Sequence, residues 1–393
     1  MSEFRGSDFF DLDSLLSDEE RAIRDSTRQF VDKELIDTRL IEEHHRAGTF
    51  PLEVARKFGE MGYLGCTLPE KYGCAGLNQV SYGLIMQELE RGDSGIRSFA
   101  SVQSSLCMYP IFAFGSEEQR ERYLPRMARG EVIGCFGLSE PDHGSDPSGM
   151  ETKATPDGKG GWVLNGTKRW ITNGTIAHIA IVWARTPEGI RGFIVPTDTP
   201  GFTAPLIEGK FSLRASVTSE LIMEDVKVGP EALLPGTTGL RNALMTLSNA
   251  RYGIAWGAVG SMMAVFDEAL RYTRQRTQFD RPIASFQLVQ NKLVEMHTHL
   301  THGQLTAYHL GRLKDAGKVE HWHVSFAKRN CVRAAREVAK LGRELLGANG
   351  VCDEYQAMRH LMNIESVYTY EGTHEIHTLV LGEHLTGHAA YRG

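Results

Sequence analysis

The stretch GCFGLSEPDHGSD, residues 134–146, marks the point at which the character of the chain changes. Upstream of it, apolar spacing and capping signals predict helices. Downstream, glycine and proline become frequent and short β-branched or aromatic runs alternate with turn clusters, a pattern typical of an antiparallel barrel or sandwich. From about residue 237 the helical pattern returns. We therefore predict an N-terminal all-α domain over 1–131, a central β domain over 132–236 and a C-terminal helical domain over 237–393.

Local signals predict several element boundaries. Ser17 with Glu20, and Ser116 with Gln119, have the spacing of capping boxes that begin helices. Pro125 is expected to break or kink the helix that follows Ser116. Strands are expected over the runs 133–136, 162–164, 179–184, 192–195 and 221–226.

Composition restricts the class of protein. The 393 residues carry a formal net charge of -6, which argues against nucleic acid or an acidic membrane surface as a partner. The six cysteines form no CxxC pair, so we interpret them as reduced thiols of a cytoplasmic protein. The acidic stretch 1–13 lacks the features of a targeting peptide. The uncharged run between Arg251 and Asp267 is too short to span a membrane and is expected to form a buried helix.

Several common cofactor and metal motifs do not fit. No GxGxxG follows a predicted strand, so a nicotinamide dinucleotide site is not expected. The segment 161–168 has Lys and Thr in the wrong order for a phosphate loop and is better interpreted as part of a hairpin. His374 and His377 are three residues apart instead of the four of a zinc-protease motif, and we expect no metal site.

Four further stretches combine with residues 134–146: KRWITN (168–173), RQRTQF (274–279), LLGANG (345–350) and YEGT (370–373). Over essentially the whole chain, this combination resembles the acyl-CoA dehydrogenase family. Within that family the resemblance is closest to the glutaryl-CoA dehydrogenases, through the stretches DSGIRSFASVQSSL (93–106), GKFSLRAS (209–216), NARYGIAWG (249–257) and TYEGTHEIH (369–377). The resemblance implies an N-terminal helical domain, a central β-barrel-like domain, a C-terminal four-helix bundle, FAD as the cofactor, and a homo-oligomer, expected to be a tetramer.

The resemblance places FAD against segments whose chemistry suits a flavin. Small residues near Ser139 let backbone amides approach the ring edge, Trp170 can shield one face, and Thr172 can donate to the reactive end. Arg276 can clamp the pyrophosphate in a site completed by a neighbouring subunit. Considered alone, Trp170 could be a core aromatic, Ser139 a turn hydroxyl and Arg276 a surface partner of Asp280. The implied cofactor-binding residues are Phe136, Gly137, Leu138, Ser139, Gly144, Trp170, Ile171, Thr172, Arg276, Phe279, Gln287, Glu344, Leu345, Leu346, Gly347, Ala348 and Thr373.

Glu371 is the implied catalytic base. Removal of the proton α to a thioester needs a carboxylate in a dry pocket, because burial brings the acidities of base and substrate closer together. The developing enolate oxygen would be held by the Glu371 backbone N–H and a flavin ribityl hydroxyl. Gly372 permits close approach of backbone and ligand, and Thr373 can cap the next helix. The alternative is that Glu371 is an acidic residue favoured at a helix N-terminus.

Arg97 indicates the class of substrate. A cation at the end of an acyl pocket is costly if unpaired, whereas a dicarboxylic monothioester supplies a carboxylate. Ser98 would add a donor to the same carboxylate. The alternative is an ion pair between Arg97 and Glu90 or Asp93. The other implied substrate-binding residues are Glu90, Tyr370, Ser145, Leu244, Arg251 and Gly372.

The implied reaction is FAD-dependent α,β-dehydrogenation of glutaryl-CoA with decarboxylation to crotonyl-CoA and CO2. Electrons would pass to electron-transfer flavoprotein, in the degradation of lysine, tryptophan or aromatic acids. The alternatives are a non-decarboxylating glutaryl-CoA dehydrogenase, a short-chain monocarboxylic acyl-CoA dehydrogenase of the butyryl- or isovaleryl-CoA type, and a thioester-binding scaffold without catalysis. Two residues depart from the family pattern: His143 could crowd its loop or contact CoA, and Ala348 forbids a strongly positive φ without strain.

Overall fold

The computed structural model describes residues 6–390. Residues 1–5 and 391–393 lie outside the described part, including the start of the acidic stretch 1–13 and the end of the predicted C-terminal domain. Helices form both ends of the described chain and a β-sheet lies between them, so the predicted fold class is confirmed. Within residues 6–390 no helix combines the length and the apolar character needed to cross a membrane.

The N-terminal helices of the described chain are α1 (Asp18–Phe30), α2 (Leu40–Ala47), α3 (Val54–Glu60), α4 (Gln79–Gly92), α5 (Ser94–Ser101), α6 (Tyr109–Phe114) and α7 (Glu117–Ala128). Four of these seven helices, α1, α4, α5 and α7, begin at a side-chain cap. The two predicted capping boxes are present. Ser17 accepts from the backbone N–H of Glu20, Ser116 accepts from that of Gln119, and each pair makes the reciprocal side-chain bond.

Two irregularities occur between the start of α5 and the end of α7. A π-helical turn, Val102–Met108, joins α5 to α6, so residues 94–114 form one continuous helical run. Pro125 does not end α7, which continues to Ala128. The proline lies in the last turn of the helix, where the missing backbone donor affects a single hydrogen bond.

The central sheet is mixed. Its strands are β1 (Gly134–Gly137), β2 (Lys153–Pro156), β3 (Trp162–Thr172), β4 (Ile179–Thr186), β5 (Gly189–Pro196), β6 (Phe202–Thr203) and β7 (Thr218–Val228), in the order β1-β4-β2-β3-β7-β6 with β5 beside β4. β4 pairs in parallel with β1 and β2, and the other pairs are antiparallel. The two parallel pairs correct the expectation of a purely antiparallel sheet. The β2–β3 hairpin separates β1 from β4 along the chain, and a connection of that length permits return in the same direction.

The C-terminal helices pack around one long buried helix. The elements are α8 (Leu240–Gln275), the hairpin β8 (Thr277–Gln278) and β9 (Arg281–Pro282), α9 (Gln287–Asp315), α10 (His321–Leu345), α11 (Ala357–Thr369) and α12 (His374–Thr386). Residues 252–266 of α8 are buried throughout, as predicted for this uncharged run. At Gly260 the helix touches α4, since an added Cβ would lie 1.9 Å from the carbonyl oxygen of Gln87. α8 therefore contacts the N-terminal helices directly.

Candidate active site

Glu371 lies in a strained turn between α11 and α12. Its φ is +50° and that of Gly372 is +85°, so two successive residues adopt the left-handed region. The Glu371 side chain is half-buried, and its Oε2 atom is buried without a hydrogen-bond partner. Burial raises the pKa of Glu371 to about 7, although Arg251, Arg97 and Lys328 oppose the rise. Such a carboxylate can accept a proton near neutral pH.

Side chains from two other helices hold the backbone of this turn. Lys328 of α10 donates from Nζ to the carbonyl oxygens of Tyr370 (3.0 Å) and Gly372 (2.8 Å). Arg251 of α8 donates from Nε to the carbonyl oxygen of Glu371 at 2.7 Å. Arg251, expected along the substrate channel, is thus engaged by the backbone of the turn.

The start of α12 completes the turn. Thr373 caps α12 by accepting a backbone N–H of the first turn at 3.1 Å, as predicted. The Nε2 atom of His377 lies 3.3 Å from the carbonyl oxygen of Glu371. An added Cβ at Gly372 would lie 3.0 Å from Arg251 Nη2 and 3.0 Å from His377 Nε2. Positive φ and limited space together favour glycine at this position.

Arg97 of α5 reaches the same turn through Tyr370. It is 1% exposed, its Nε donates to Glu90 Oε2 at 2.5 Å, and its Nη2 donates to the Tyr370 hydroxyl. Ser98 Oγ lies 3.3 Å from that hydroxyl. The ion pair with Glu90, an alternative that the sequence left open, is therefore present. The structure brings the cation, its partner and Glu371 together.

Small neighbours make room for this ion pair. At Gly257 of α8 an added Cβ would lie 2.0 Å from Glu90 Oε2 and 3.0 Å from Arg97 Nε. Ser94 Oγ donates to Glu90 Oε1 at 2.9 Å. The side chain of Asp93 caps α5 and does not form the ion pair with Arg97. Both oxygens of Glu90 are therefore satisfied in a buried position.

The two segments expected along the flavin, at the end of β1 and within β3, are hydrogen-bonded to each other. The backbone N–H of Arg169 donates to the carbonyl of Ser139 at 2.8 Å, and Nζ of the buried Lys168 donates to the carbonyl of Leu138 at 3.1 Å. Lys168 also pairs with Glu140 at 2.7 Å. Although burial acts in the opposite direction, this ammonium group lowers the pKa of Glu140 to about 2.

The side chains beside these segments suit contact with a planar ring. Trp170 has a φ of +63° and is 59% exposed, and a large aromatic side chain so exposed on a strained backbone is typical of a ligand-covered surface. Thr172 is half-buried at the end of β3, and Ile171 between them is in the core. Phe136 and Leu138 have buried side chains, so they would meet a ring through their backbone. These residues therefore fit a bound flavin.

The residues expected around the adenosine of FAD lie far along α8 from the Glu371 turn. Arg276 follows the end of α8, and at 1.5 Å per residue it is roughly 38 Å from Arg251 along the helix. Arg276, Phe279 and Gln287 are exposed, Phe279 by 87%. The described chain therefore does not bring these three residues together with Glu371.

At the end of α10, the residues expected to contact the cofactor could do so mainly through their backbone. Leu345 and Leu346 are buried in the helical core, so any contact with a cofactor would use their backbone. Glu344 forms an ion pair with a lysine of α9 at 2.7 Å. Gly347 has a φ of +60°, whereas Ala348 has no positive φ. The alanine at 348 therefore introduces no strain.

The loop after β1 is open at its tip. Gly144 and Ser145 are exposed. His143 packs against Gly149, where an added Cβ would lie 2.5 Å from the imidazole ring. His143, which departs from the family pattern, is thus accommodated by the small residue Gly149 in the same loop. Leu244, in the second turn of α8, is 39% exposed.

Two buried residues that support the site, Lys328 and Gln103, were not among those predicted from the sequence. Lys328 lies on the buried face of α10 with Val324 and Val332 at helical spacing. A lysine among apolar residues on one helix face is the signal that could have identified it. Gln103 is fully buried in the π-helical turn. A single glutamine in an uncharged helical run carries no comparable signal.

Models of three domains match the chain in order. They are the acyl-CoA dehydrogenase N-terminal domain over residues 17–131, the middle domain over 135–226 and the C-terminal domain over 237–386. The chain belongs to the acyl-CoA dehydrogenase family. The resemblance drawn from the motifs is therefore confirmed.

Individual relatives point to two branches of the acyl-CoA dehydrogenases. The chain is 36% identical over 378 residues to the mitochondrial short-chain specific acyl-CoA dehydrogenase of Bos taurus, with 94% of this chain and 90% of that protein covered. A crystal structure of glutaryl-CoA dehydrogenase from Mycobacterium smegmatis is 53% identical with a TM-score of 0.97, covering 99% of this chain and 100% of that chain. A glutaryl-CoA dehydrogenase from Mycobacterium smegmatis in complex with FADH2 is 52% identical with a TM-score of 0.95, covering 98% of each chain.

Proposed function

We propose that this acyl-CoA dehydrogenase oxidises a CoA thioester with Glu371 as the base that removes the α-proton. The Glu371 carboxylate carries the proposal, because its Oε2 atom is buried without a partner and burial raises its pKa to about 7. The ionised form can accept a proton near neutral pH, and the protonated form is neutral and suits the buried position. FAD is the cofactor and, when bound, accepts the two electrons together with the β-hydrogen.

Arg97 extends the proposal to a dicarboxylic substrate, glutaryl-CoA. Its Nε donates to Glu90 and its Nη2 donates to the hydroxyl of Tyr370. The remaining N–H groups can donate to a substrate carboxylate. Only the tyrosine side chain separates the guanidinium from the backbone next to Glu371, which suits a short acyl chain. The 53% identity to the glutaryl-CoA dehydrogenase from Mycobacterium smegmatis supports this substrate.

The proposed product is crotonyl-CoA. After dehydrogenation, the bond between the distal carboxylate and the carbon chain breaks, its electron pair moves into the conjugated thioester, a proton returns to the chain and CO2 leaves. Glu90 and Tyr370 beside Arg97 would surround the departing carboxylate. The resemblance alone adds electron-transfer flavoprotein as the acceptor and a role in lysine, tryptophan or aromatic acid degradation. Action in the cytoplasm is proposed from the six cysteines, which form no CxxC pair.

A homotetramer is part of the proposed site. Arg276, just after the end of α8, lies roughly 38 Å along that helix from Arg251, which holds the turn of Glu371, and Phe279 and Gln287 follow Arg276 in the chain. An FAD whose ring lies beside Glu371 in one chain would therefore be completed by these residues of another chain. The 87% exposed Phe279 and the 82% exposed Leu288 form the apolar surface that such a contact would cover.

The test is anaerobic flavin bleaching of the FAD-loaded protein by a panel of CoA thioesters, with analysis of released CO2. Glutaryl-CoA should bleach the flavin and release CO2. Glu371→Gln should bind the thioester without bleaching, and full bleaching would remove Glu371 from its role. Arg97→Met should lower glutaryl-CoA turnover by about 100-fold while butyryl-CoA turnover remains. Arg122→Met, at an exposed arginine of α7, is the matched control.

A second candidate is a short-chain monocarboxylic acyl-CoA dehydrogenase. It is favoured by the ion pair between Arg97 and Glu90, which neutralises the guanidinium without a substrate carboxylate. Similarity to the short-chain specific enzyme of Bos taurus also supports it. Under this candidate butyryl-CoA turns over as fast as glutaryl-CoA, and Arg97→Met leaves the preference unchanged. Bleaching by glutaryl-CoA without CO2 would instead identify a non-decarboxylating dehydrogenase.

A further inference from the structure

The turn that carries Glu371 is held at three successive carbonyl groups. Nζ of Lys328 donates to the carbonyl oxygens of Tyr370 and Gly372, and Nε of Arg251 donates to that of Glu371. We propose that Lys328 is a positioning residue that fixes the direction of the Glu371 carboxylate by holding the carbonyl groups on either side of it. This inference rests on the proposed role of Glu371 as the base.

Lys328 has no carboxylate partner of its own. It is 1% exposed, and among residues 6–390 it forms no ion pair, whereas the buried Lys168 pairs with Glu140 and the buried Arg97 pairs with Glu90. A buried ammonium group without a paired carboxylate is costly and needs compensation. The two carbonyl groups of the turn supply that compensation, so the lysine and the turn stabilise each other.

The contacts determine the orientation of the base because they act on the peptide planes around its Cα. The carbonyl of Tyr370 belongs to the peptide that precedes Glu371, and the carbonyl of Glu371 belongs to the one that follows. Lys328 holds the first plane and Arg251 the second. With both planes fixed, the Cα–Cβ direction of Glu371 is fixed at its φ of +50°. A left-handed conformation in a residue other than glycine persists only where its surroundings hold it.

The same lysine acts on the proton affinity of Glu371. The cations that face the carboxylate are Arg97 from α5, Arg251 from α8 and Lys328 from α10. The titratable groups beside them are the phenol of Tyr370 and the imidazole of His377 from α12, which contacts the backbone carbonyl of Glu371. Burial lowers the pKa of His377 to about 2, so this imidazole is neutral. Burial lowers the pKa of Lys328 and raises that of Glu371, while their mutual attraction favours the charged form of both.

The experiment compares variants at position 328 in FAD-loaded protein, with anaerobic flavin bleaching followed across pH. Lys328→Met should lower the maximal bleaching rate by about tenfold or more and leave KM within a few-fold, since the base is misdirected while the thioester still binds. Its rate should also reach half-maximum at a higher pH, because a cation that favours ionised Glu371 is gone. Lys318→Met, at an exposed lysine between α9 and α10, should match the wild type.

Lys328→Gln separates orientation from charge. It retains a donor for the turn, so it should bleach faster than Lys328→Met while its half-maximal pH rises to the same extent. It also replaces Lys328→Met in the comparison should the latter lose FAD or fail to fold. A purely structural lysine would lower the melting temperature and the rate without moving the half-maximal pH, and that result overturns the inference, as does an unchanged rate.

Glu371→Gln in the same series separates a failure of the proposed function from a failure of the role proposed for Lys328. Full bleaching by Glu371→Gln removes the base and with it the proposed function. No bleaching by Glu371→Gln, combined with wild-type rate and half-maximal pH in Lys328→Met, leaves the proposed function intact and overturns the role of Lys328 alone.

Discussion

At the scale of single residues, the chemistry of Glu371 and its effect on stability oppose each other. Burial raises its pKa from 4.5 to about 7, so the folded chain binds the proton more tightly than the unfolded chain. Stability therefore falls as the pH rises from 4.5 to 7. We expect Glu371→Gln to be more stable than the wild type above pH 7 by about 3 kcal/mol, with the gain shrinking as the pH falls towards 4.5.

Thermal unfolding at pH 5 and pH 8 measures this difference. Glu375→Gln is the matched control, because the pKa of that neighbouring carboxyl is lowered by hydrogen bonds at the start of α12 and its removal should give no gain at pH 8. A gain in Glu371→Gln that is the same at both pH values contradicts the account.

Glu90 has the opposite effect, since it neutralises a buried cation. It is fully buried and pairs with Arg97 at 2.5 Å. Removal of one partner of a buried ion pair leaves an uncompensated charge and costs about 3–5 kcal/mol. We expect Glu90→Gln to melt several degrees lower, and glutaryl-CoA to restore more of the melting temperature than butyryl-CoA because it supplies a carboxylate. Scanning fluorimetry with both thioesters measures this, and equal recovery would speak against a substrate carboxylate on Arg97.

Some residues of the candidate site can be predicted from the sequence and others cannot. Arg97, Tyr370 and Glu371 could be predicted as candidates because motifs preserve reactive residue types. The sequence left open whether Arg97 pairs with Glu90, with Asp93 or with a substrate carboxylate, because the choice depends on how α4 and α5 meet in space. Lys328 was not predicted as a site residue, because its partners are backbone carbonyls, which any residue type supplies.

At the scale of elements, the π-helical turn Val102–Met108 connects the helical run of α5 and α6 to β1. Gln103 of this turn is fully buried. Its Nε2 donates to the carbonyl of Val132 at 2.7 Å and that of Met127 at 3.2 Å, and its Oε1 accepts from the backbone N–H of Gly134 at 2.8 Å. One amide thus bonds one backbone group of α7 and two around the start of β1, the strand proposed to face the flavin.

Replacement of this amide should weaken β1. Gln103→Met removes the partner of the Gly134 N–H and of the Val132 carbonyl, at about 1–3 kcal/mol each, whereas the Met127 carbonyl keeps the N–H of Gly130. We expect a lower melting temperature and less FAD retained per chain after gel filtration, because the end of β1 contributes backbone to the flavin site. Gln29→Met, at an exposed glutamine of α1, is the control and should retain both. Full FAD retention in Gln103→Met would show that β1 does not need this anchor.

Strand prediction illustrates the limits at this scale. The runs 133–136 and 179–184 were correctly predicted as strands from their apolar and β-branched residues. Their parallel pairing was not predicted, because pairing direction depends on the path of the intervening chain. β2 and β6 were missed because they are short and contain Lys, Thr or Pro. Local composition thus identifies the longer strands, and tertiary contacts decide their order.

At the scale of the whole molecule, exposed apolar side chains follow the end of α8. Phe279 is 87% exposed and Leu288 82% exposed. Large apolar groups so exposed in one chain are typical of a surface that another copy covers. We expect Leu288→Glu to reduce the oligomer size measured by light scattering and to lower the FAD content in parallel, because Arg276 and Gln287 would serve a neighbouring chain.

The matched control is Leu385→Glu, at an equally exposed leucine near the end of α12. It should leave the oligomer size and the FAD content unchanged. A smaller oligomer that keeps its FAD would show that each chain holds the cofactor by itself.

The fluorescence of the exposed indole of Trp170 should report whether FAD is bound. Of its five tryptophans, Trp170 is 59% exposed, whereas Trp183 and Trp256 are buried and Trp162 and Trp322 are half-buried. Long-wavelength fluorescence should therefore come mainly from Trp170, and a flavin stacked against this indole would quench it. Titration of flavin-free protein with FAD should remove that emission in proportion to the sites filled, and Trp170→Phe should abolish the signal, so cofactor occupancy becomes measurable without any turnover.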